Sequence, residues 1–522
     1  MKKKNIPGGS LEKGKSAPFD IKNIDNSGLG FFRFKKLGRN YLLTNDVGDH
    51  IVLPEMDFRK YVEGKMKKGS SKYRELSKKN FIRDKINFEN CIEKYQKKQQ
   101  QNLQGGPSLH IVVVTLRCNY SCLYCQASSK KTNDTRFDMD LGTAKQVVDF
   151  IFSTPNKNIA IEFQGGEPLL NWPTVKFIAE YAIEKNKSEK KNLELRLVSN
   201  FSLMDEEKMD FFFKNNIALC TSLDGPEDIH NKNRPFPSKN SYQETTKWLK
   251  VAMDIYRKLD RKKTRNGKTY FFQPGALPTV SRYSLKNPKE IVDEYMKWGF
   301  ETIFLRSLSP LGTAGNAWPQ IGYSAEEYVD FYTQALDYIL KLNQKGKKIY
   351  ERTASIILAK ILTDGDPNFL ELRSPCGAGI GQLAYDYNGD IYTCDEGRMM
   401  GYVNEKMFKL GSVKENQYPE IIESPTLKTM CLSSEIGCQA GCSHCVYKPY
   451  CGTCPIYNYA VTGSIFGQQP TSEKCKINKA IFDLLFTYLQ KKEYKEILSR
   501  WAKKEMEFAK HREKIDLTAK NK

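Results

Sequence analysis

Residues Leu109 to Ser129 read LHIVVVTLRCNYSCLYCQASS, an apolar run that breaks into a loop of cysteines. Ile111 to Thr115 is β-branched and has the composition of a buried strand. Directly after it, Cys118, Cys122 and Cys125 stand in a Cys-x3-Cys-x2-Cys array. Three thiolates on one tight loop fit an iron–sulfur cluster better than zinc, because a structural zinc site wants four ligands and is usually built from two separated pairs. The loop is one ligand short. A [4Fe–4S] cluster held by three cysteines leaves one iron free to bind a small molecule, so the shortfall is itself a functional signal. The bland alternative is a buried hydrophobic loop whose cysteines only pack.

Outward from this loop, the next strand-like run, Ile159–Phe163, ends on Gln164-Gly165-Gly166-Glu167-Pro168, about 40 residues after the cysteines. Further apolar runs recur at Leu193–Ser199, Ile217–Leu223, Gln273–Val280 and Thr302–Arg306. Helical periodicity fills the gaps at Leu141–Phe152, Val175–Lys185, Asp205–Lys214, Tyr242–Leu259 and Pro288–Trp298. Six strands separated by helices predict a parallel sheet over residues 108–310, since parallel neighbours need long crossovers. Functional groups are then expected after the carboxyl ends of strands. Ser199-Asn200 follows the third run, and Ser222-Leu223-Asp224-Gly225-Pro226, with His230 and Arg234 beyond it, follows the fourth. Short polar side chains at such ends can hydrogen-bond ribose hydroxyls and a carboxylate. Arg234 is assigned no ligand, since a surface salt bridge explains it equally well, and Cys220 is read as core. Pro278-Thr279-Val280 and Arg306-Ser307-Leu308 end the last two strands as cavity or plain structure.

These motifs resemble the radical S-adenosylmethionine (SAM) enzymes. The resemblance implies a partial (β/α)6 barrel, open on one side, and a free iron that chelates the methionine part of SAM while an electron from the cluster splits it. It places Tyr124 near the adenine. It gives the α-amino group of SAM to the backbone of Gly165, Gly166 and Pro168 with Glu167, and adds Asn200, Ser222 and Asp224 to the pocket. No side chain is assigned to the chemistry on the substrate.

The chain is too long for one ordinary domain, and 40% of its 522 residues are hydrophobic, enough for a globular core. No apolar run reaches the roughly 18 residues of a membrane-spanning helix. The start, MKKKNIPGGSLEKGKS, is basic with no apolar stretch behind it, so a cytoplasmic location is expected rather than export. Fourteen cysteines without an export signal argue for metal or clusters over disulfides. The formal charge of +21 comes from lysines spread along the chain, with no aromatic-basic motif beside it, which disfavours nucleic acid.

Residues 1–27 read as a flexible leader. In 28–84, Phe31–Phe34 and Tyr41–Thr44 are short strands, and the turn Asn45-Asp46-Val47-Gly48 leads to a third at Ile51–Leu53. A helix after Pro54 should turn Phe58 and Tyr61 inward, and Tyr73, Leu76 and Phe81-Ile82 suggest another helix and strand. This order resembles the winged-helix, PqqD-like element that captures leader peptides, in which an edge strand accepts a peptide by β-augmentation. A mere cap on the barrel is the alternative. Residues 85–107 read as a charged helix and linker, with Cys91 a plain helix residue.

Residues 311–370 carry helical stripes, Tyr328, Phe331, Ala335, Tyr338 and Ile339, then Ile356, Ile357, Ala359 and Ile361, expected to bridge the barrel to a cysteine-rich carboxy-terminal region. That region, residues 371–480, holds nine further cysteines and a predicted hairpin, Leu383 to Thr393, turning at Asn388-Gly389. The spacing resembles the SPASM domain of radical SAM enzymes, which carries auxiliary [4Fe–4S] clusters. By that resemblance Cys442, Cys445, Cys451 and Cys475 hold one cluster, and Cys376, Cys394 and Cys454 serve another, its fourth position left to Cys431, Cys438 or substrate. Only two residues separate Cys451 from Cys454, where the family usually has three. Two zinc sites are the physical rival. Residues 481–522 are expected to be a packed helix with a frayed basic end.

The resemblance as a whole implies a radical SAM enzyme that modifies a precursor peptide or protein, of the His-Xaa-Ser maturase type. Its partners would be an electron donor such as flavodoxin or ferredoxin and a second radical SAM maturase. The alternatives are an anaerobic sulfatase maturase making formylglycine and, from another class, a cluster-bearing electron carrier without SAM chemistry.

Overall fold

The computed structural model describes residues 24–103, 105–237, 239–263, 273–367, 372–402 and 406–512. Most of the leader and the basic end lie outside them. The chain divides into two compact units, Met1–Phe88 and Glu89–Lys522.

In the first unit β1 (Arg33–Leu37), β2 (Asn40–Thr44) and β3 (His50–Pro54) form an antiparallel sheet in the order β1-β2-β3, followed by helices Glu55–Val62 and Ser71–Lys78. Phe58 and Tyr61 are 1% and 2% exposed, as the periodicity predicts, and pack with Leu43, Ile51, Leu53 and Leu76. The Tyr61 hydroxyl donates to the Phe81 carbonyl at 2.7 Å. Phe81-Ile82 is not a strand. Asn80 adopts φ +60° just before it and a 3-10 turn, Arg83–Lys85, comes directly after, so only a single bridge, Leu29 to Ile82, forms.

The second unit opens with the charged helix Phe88–Leu103 and then a parallel sheet of β4 (Leu109–Thr115), β5 (Asn158–Gly165), β6 (Asn192–Ser199), β7 (Ala218–Ser222) and β8 (Gly275–Leu277), neighbours in chain order. The helices between them fall where the periodicity puts them, as at Leu141–Ser153, capped by Asp140, and Glu206–Lys214, capped by Asp205. The last two expected strands are each broken. Pro278, which has no N–H to give a ladder, separates β8 from β9 (Thr279–Val280). Between β10 (Thr302–Ile303) and β11 (Arg306–Ser307), the Leu305 N–H donates to the Glu351 carboxylate at 3.1 Å instead of to a strand. β9 pairs in parallel with β11, and β10 with β12 (Tyr350–Glu351), a strand the sequence pattern does not announce.

Helices Ala325–Gln344 and Arg352–Leu362 bury the predicted stripes, with Tyr338 only half-buried. The predicted hairpin forms as β13 (Gln382–Tyr385) and β14 (Asp390–Tyr392), Gly389 turning at φ +90°, with β15 (Lys409–Ser412) beyond. β13 pairs in parallel with β4, so the whole sheet runs β15-β14-β13-β4-β5-β6-β7-β8 and the cysteine-rich segment extends it. Helices Glu473–Leu489 and Lys492–Arg512 close the described chain, with Trp501 buried. Among the described residues no helix is long and apolar enough to cross a membrane.

Candidate functional site

The cysteine loop is pinned along its backbone. The Cys118 N–H donates to Lys130 at 3.0 Å, Ser121 to Pro235 at 2.9 Å and Leu123 to Asn233 at 3.0 Å. These bonds hold Cys118, Cys122 and Cys125 on one wall of a cavity of about 310 Å³, shared with Tyr124, Gly166 and Arg234. Small-molecule sites typically start at roughly that size. Burial pushes the Cys122 thiol up to about 12, and burial, with the neighbouring Cys122 adding to it, raises Cys118 as well. Thiols so placed give up their protons only to a strongly held cation, and three of them around one space fit a cluster that keeps one position open.

Gly165-Gly166-Glu167 lies against the start of that loop. Gly166 donates to the Thr115 carbonyl at 2.9 Å and Glu167 to that of Arg117 at 2.7 Å. A Cβ on Gly165, at φ +154°, would stand 2.1 Å from the Thr115 oxygen, and one on Gly166 2.3 Å from that of Arg117. The glycines thus serve a close approach of backbone to backbone. Gly165→Ala should cost about 3 kcal/mol or more and lower the melting temperature followed by circular dichroism. An unchanged melt would refute that packing.

Glu167 is 1% exposed. One carboxylate oxygen accepts from Leu169 N–H at 3.0 Å and from the Ser199 hydroxyl at 2.8 Å, and the other accepts from Asn200 N–H at 2.8 Å. The side chain therefore staples the ends of β5 and β6, while the neighbouring Gly166 lines the cavity. Burial lifts its pKa from 4.5 to about 7. Because the folded value lies above the unfolded one, its contribution is fully present below pH 4.5 and is lost as pH rises through about 7. Urea titrations from pH 4.5 to 8 should show the wild type losing about 3 kcal/mol more than Glu167→Gln over that interval.

Asp224, 1% exposed, gathers the opposite wall. It accepts from the Tyr124 hydroxyl, from Thr279 N–H at 3.0 Å, and from Arg234 through Nε at 3.0 Å and Nη2 at 3.2 Å. The Arg234 guanidinium also lies 5.2 Å from the centre of the Tyr124 ring. Arg234 is 9% exposed, so it belongs to the cavity and not to the surface. Helix Glu227–Asn233, too short to leave a clear periodicity, carries it back under the cysteine loop. Asn200 braces that loop from behind, its amide donating to Asn119 at 2.9 Å. Ser222 ends β7, half-buried, and Pro168 opens a buried 3-10 turn, Pro168–Asn171.

Glu396, Met399, Cys454, Tyr457 and Lys474 reach the same cavity from the cysteine-rich segment. Cys454 is marked by its cysteine spacing, but no local pattern marks the other four, because the pairing of β13 with β4 brings the segment there. Arg306, noticed as a strand end, lines it too.

Cys376 and Cys394 are buried in one apolar cluster with Met430 and Ile456, and Cys454 packs against it. Burial raises the Cys394 thiol, with Glu396, Cys454 and Cys376 adding to it. Cys442, Cys445, Cys451 and Cys475 line a separate cavity with Tyr447, Pro470 and Phe482. Cys438 is exposed, and Cys431 stands beside Arg373, which also faces Cys376. Among the described residues no three His, Cys, Asp or Glu side chains stand close enough to hold a single metal ion. Cys220 is half-buried and, instead of filling the core, lines a cavity on the sheet together with Glu162, Glu194 and Arg196.

Residues 112–262 match the radical SAM superfamily. A cysteine-type anaerobic sulfatase-maturating enzyme of Clostridium novyi (strain NT) is 23% identical over 340 residues, 64% of this chain and 83% of that one. The radical SAM cyclopropyl synthase TigE of Paramaledivibacter caminithermalis is 26% identical over 186 residues, 32% of this chain and 38% of its own. Among solved structures, native anSMEcpe with bound AdoMet and Kp18Cys peptide superposes with a TM-score of 0.59 at 17% identity, over 76% of this chain and all of that one. The matched stretch begins within β4, carries the three-cysteine loop and ends within helix Ser241–Lys263.

Proposed function

We propose that this chain is a radical SAM enzyme that modifies a peptide or protein. One observation carries the reading: Cys118, Cys122 and Cys125 share a cavity with Gly166 and with the Tyr124–Asp224–Arg234 wall. Cys118, Cys122 and Cys125 would hold a [4Fe–4S] cluster with SAM beside it, and the pair would supply one-electron reductive cleavage of SAM and hydrogen-atom abstraction from substrate. The chain's own task is to hold that C–H bond close and keep competing donors out. Gly166 offers backbone to the amino-acid end of SAM, and Tyr124 an aromatic face whose hydroxyl is fixed by Asp224. Asn200, Ser222 and Glu167 keep the strand ends and the loop in place behind that surface.

Cys442, Cys445, Cys451 and Cys475 would hold one auxiliary cluster, and Cys376, Cys394 and Cys454 would serve a second, in a SPASM-type arrangement that takes up or relays electrons. The first unit would capture the precursor as a PqqD-like element, adding a peptide strand to an edge of its sheet. In that reading the substrate is a His-Xaa-Ser-type precursor, flavodoxin or ferredoxin supplies electrons in the cytoplasm, and a second maturase works alongside. Sulfatase maturation to formylglycine is the second reading, favoured by the likeness to the Clostridium novyi enzyme. Anaerobically reconstituted protein given SAM and dithionite should release 5′-deoxyadenosine. A preparation that binds iron but neither binds nor cleaves SAM would leave the electron-carrier alternative standing.

A further inference from the structure

Closed α/β barrels usually fill their interior with branched apolar side chains. The inner face of this sheet sets a charged group among apolar side chains such as Ile111, Val198 and Leu277. The inward-facing residues of β5 and β6 include Glu162, Gln164, Glu194 and Arg196, and they line a cavity of about 580 Å³ together with Cys220. Their contacts form a chain. Arg196 donates through Nε and Nη2 to the two Glu194 oxygens at 2.5 and 2.7 Å, and its Nη1 lies 3.8 Å from Glu162 Oε2. Glu162 Oε1 in turn accepts from Gln164 Nε2 at 2.6 Å.

Gln164 occupies a special place in that chain. It lines both the barrel interior and the three-thiol cavity, so it stands on the boundary between them. Its amide has two different ends, and a free glutamine can swap them by rotating its terminal bond. Here it cannot. An ionised carboxylate only accepts, so Glu162 takes the NH2 end and the carbonyl oxygen is directed away from it. Arg196 lies beside Glu162, with Glu194 holding the guanidinium from the other side. Grouping three charges inside a barrel is costly unless they are paired, and apolar residues of similar volume would fill the space at least as stably. What the charged set adds is a fixed polarity for one amide.

We propose that the Gln164 carbonyl oxygen is the acceptor for an O–H, S–H or N–H on the substrate residue that enters the reaction cavity, and that Glu162 is the positioning residue that sets this polarity. The assignment rests on the radical SAM reading and narrows its substrate to a residue with a donor near the reacting carbon, such as Ser, Cys or His, over a hydrocarbon one. Gln164 touches the substrate; Glu162 acts only through it.

The test uses reconstituted enzyme with SAM and glycine-flanked short peptides carrying Ser, Cys, His or Ala at the central position. Calorimetric binding, measured without reductant, should favour the Ser peptide over the Ala peptide by about tenfold, the worth of one hydrogen bond left unmade. Glu162→Gln frees the amide to turn and should bring that ratio to about one. Glu162→Asp, which restores the carboxylate, should recover part of the preference. Gln164→Leu should abolish it. A wild type that binds both peptides equally, or a Glu162→Gln protein that keeps the full ratio, overturns the proposal. A wild type that never cleaves SAM counts against the enzymatic reading alone, because the binding ratio is measured without turnover.

Discussion

Replacing Cys118 with alanine is expected to lower 5′-deoxyadenosine formation by at least about a thousandfold, whereas Cys442→Ala should leave uncoupled SAM cleavage within about tenfold of wild type. The difference arises from which space each thiol faces. Cys118 shares the 310 Å³ cavity with Cys122, Cys125, Gly166 and Arg234, where loss of one donor takes the whole ligand set below three. Cys442 faces a different cavity with Cys445, Cys451 and Cys475, walled by Tyr447 and Phe482. The measurement is chromatography of the nucleoside after reduction, with iron content determined in parallel. Equal losses in the two variants would mean that the two thiol groups act as one centre.

The second large effect concerns stability. Asp224→Ala should destabilise the second unit by about 3 to 5 kcal/mol, because it strands the Arg234 guanidinium inside the cavity wall. The Tyr124 hydroxyl and the Thr279 N–H lose their acceptor at the same time. Denaturant titration would register the loss, and iron retention should fall with it, since Tyr124 sits between Cys122 and Cys125. A companion pair sharpens the test. Asp224→Leu combined with Arg234→Leu removes both charges, so it should recover a substantial part of what the single change loses. A double variant as unstable as the sum of its parts would show that the ion pair is not what holds this wall.

The elements around the cysteine loop are legible in the sequence because each depends on local residues. A β-branched run, a glycine pair that only bare backbone can occupy, and polar residues at strand ends each leave a mark within a few positions. β4 runs over Leu109–Thr115 as the pattern predicts, and Gln164 to Pro168 falls at the end of β5. What is illegible depends on distance. Arg234 stays undecided between ligand and surface cation until the short helix before it is known, and Cys220 looks like core until its neighbours are seen to leave a cavity. The breaks at Pro278 and between Ile303 and Arg306 arise from a missing N–H and a remote glutamate, Glu351. Apart from Cys454, the residues that reach the cavity from beyond Cys394 carry no signal of their own, since their position is set by a strand pairing across most of the chain.

That pairing has a consequence for how the molecule is made. β4 lies between β5 and β13, and its partner residue for Leu109 is Gln382, more than half the chain length later. On the ribosome the hydrophobic strand Ile111–Val114 must therefore wait with one side unsatisfied while some 270 residues are added. During that interval the nascent sheet exposes a sticky flank along the strand that leads into the cysteine loop. Expression at low temperature or with a holdase chaperone should raise soluble yield for this reason, and any truncation ahead of β13 should send the product into inclusion bodies.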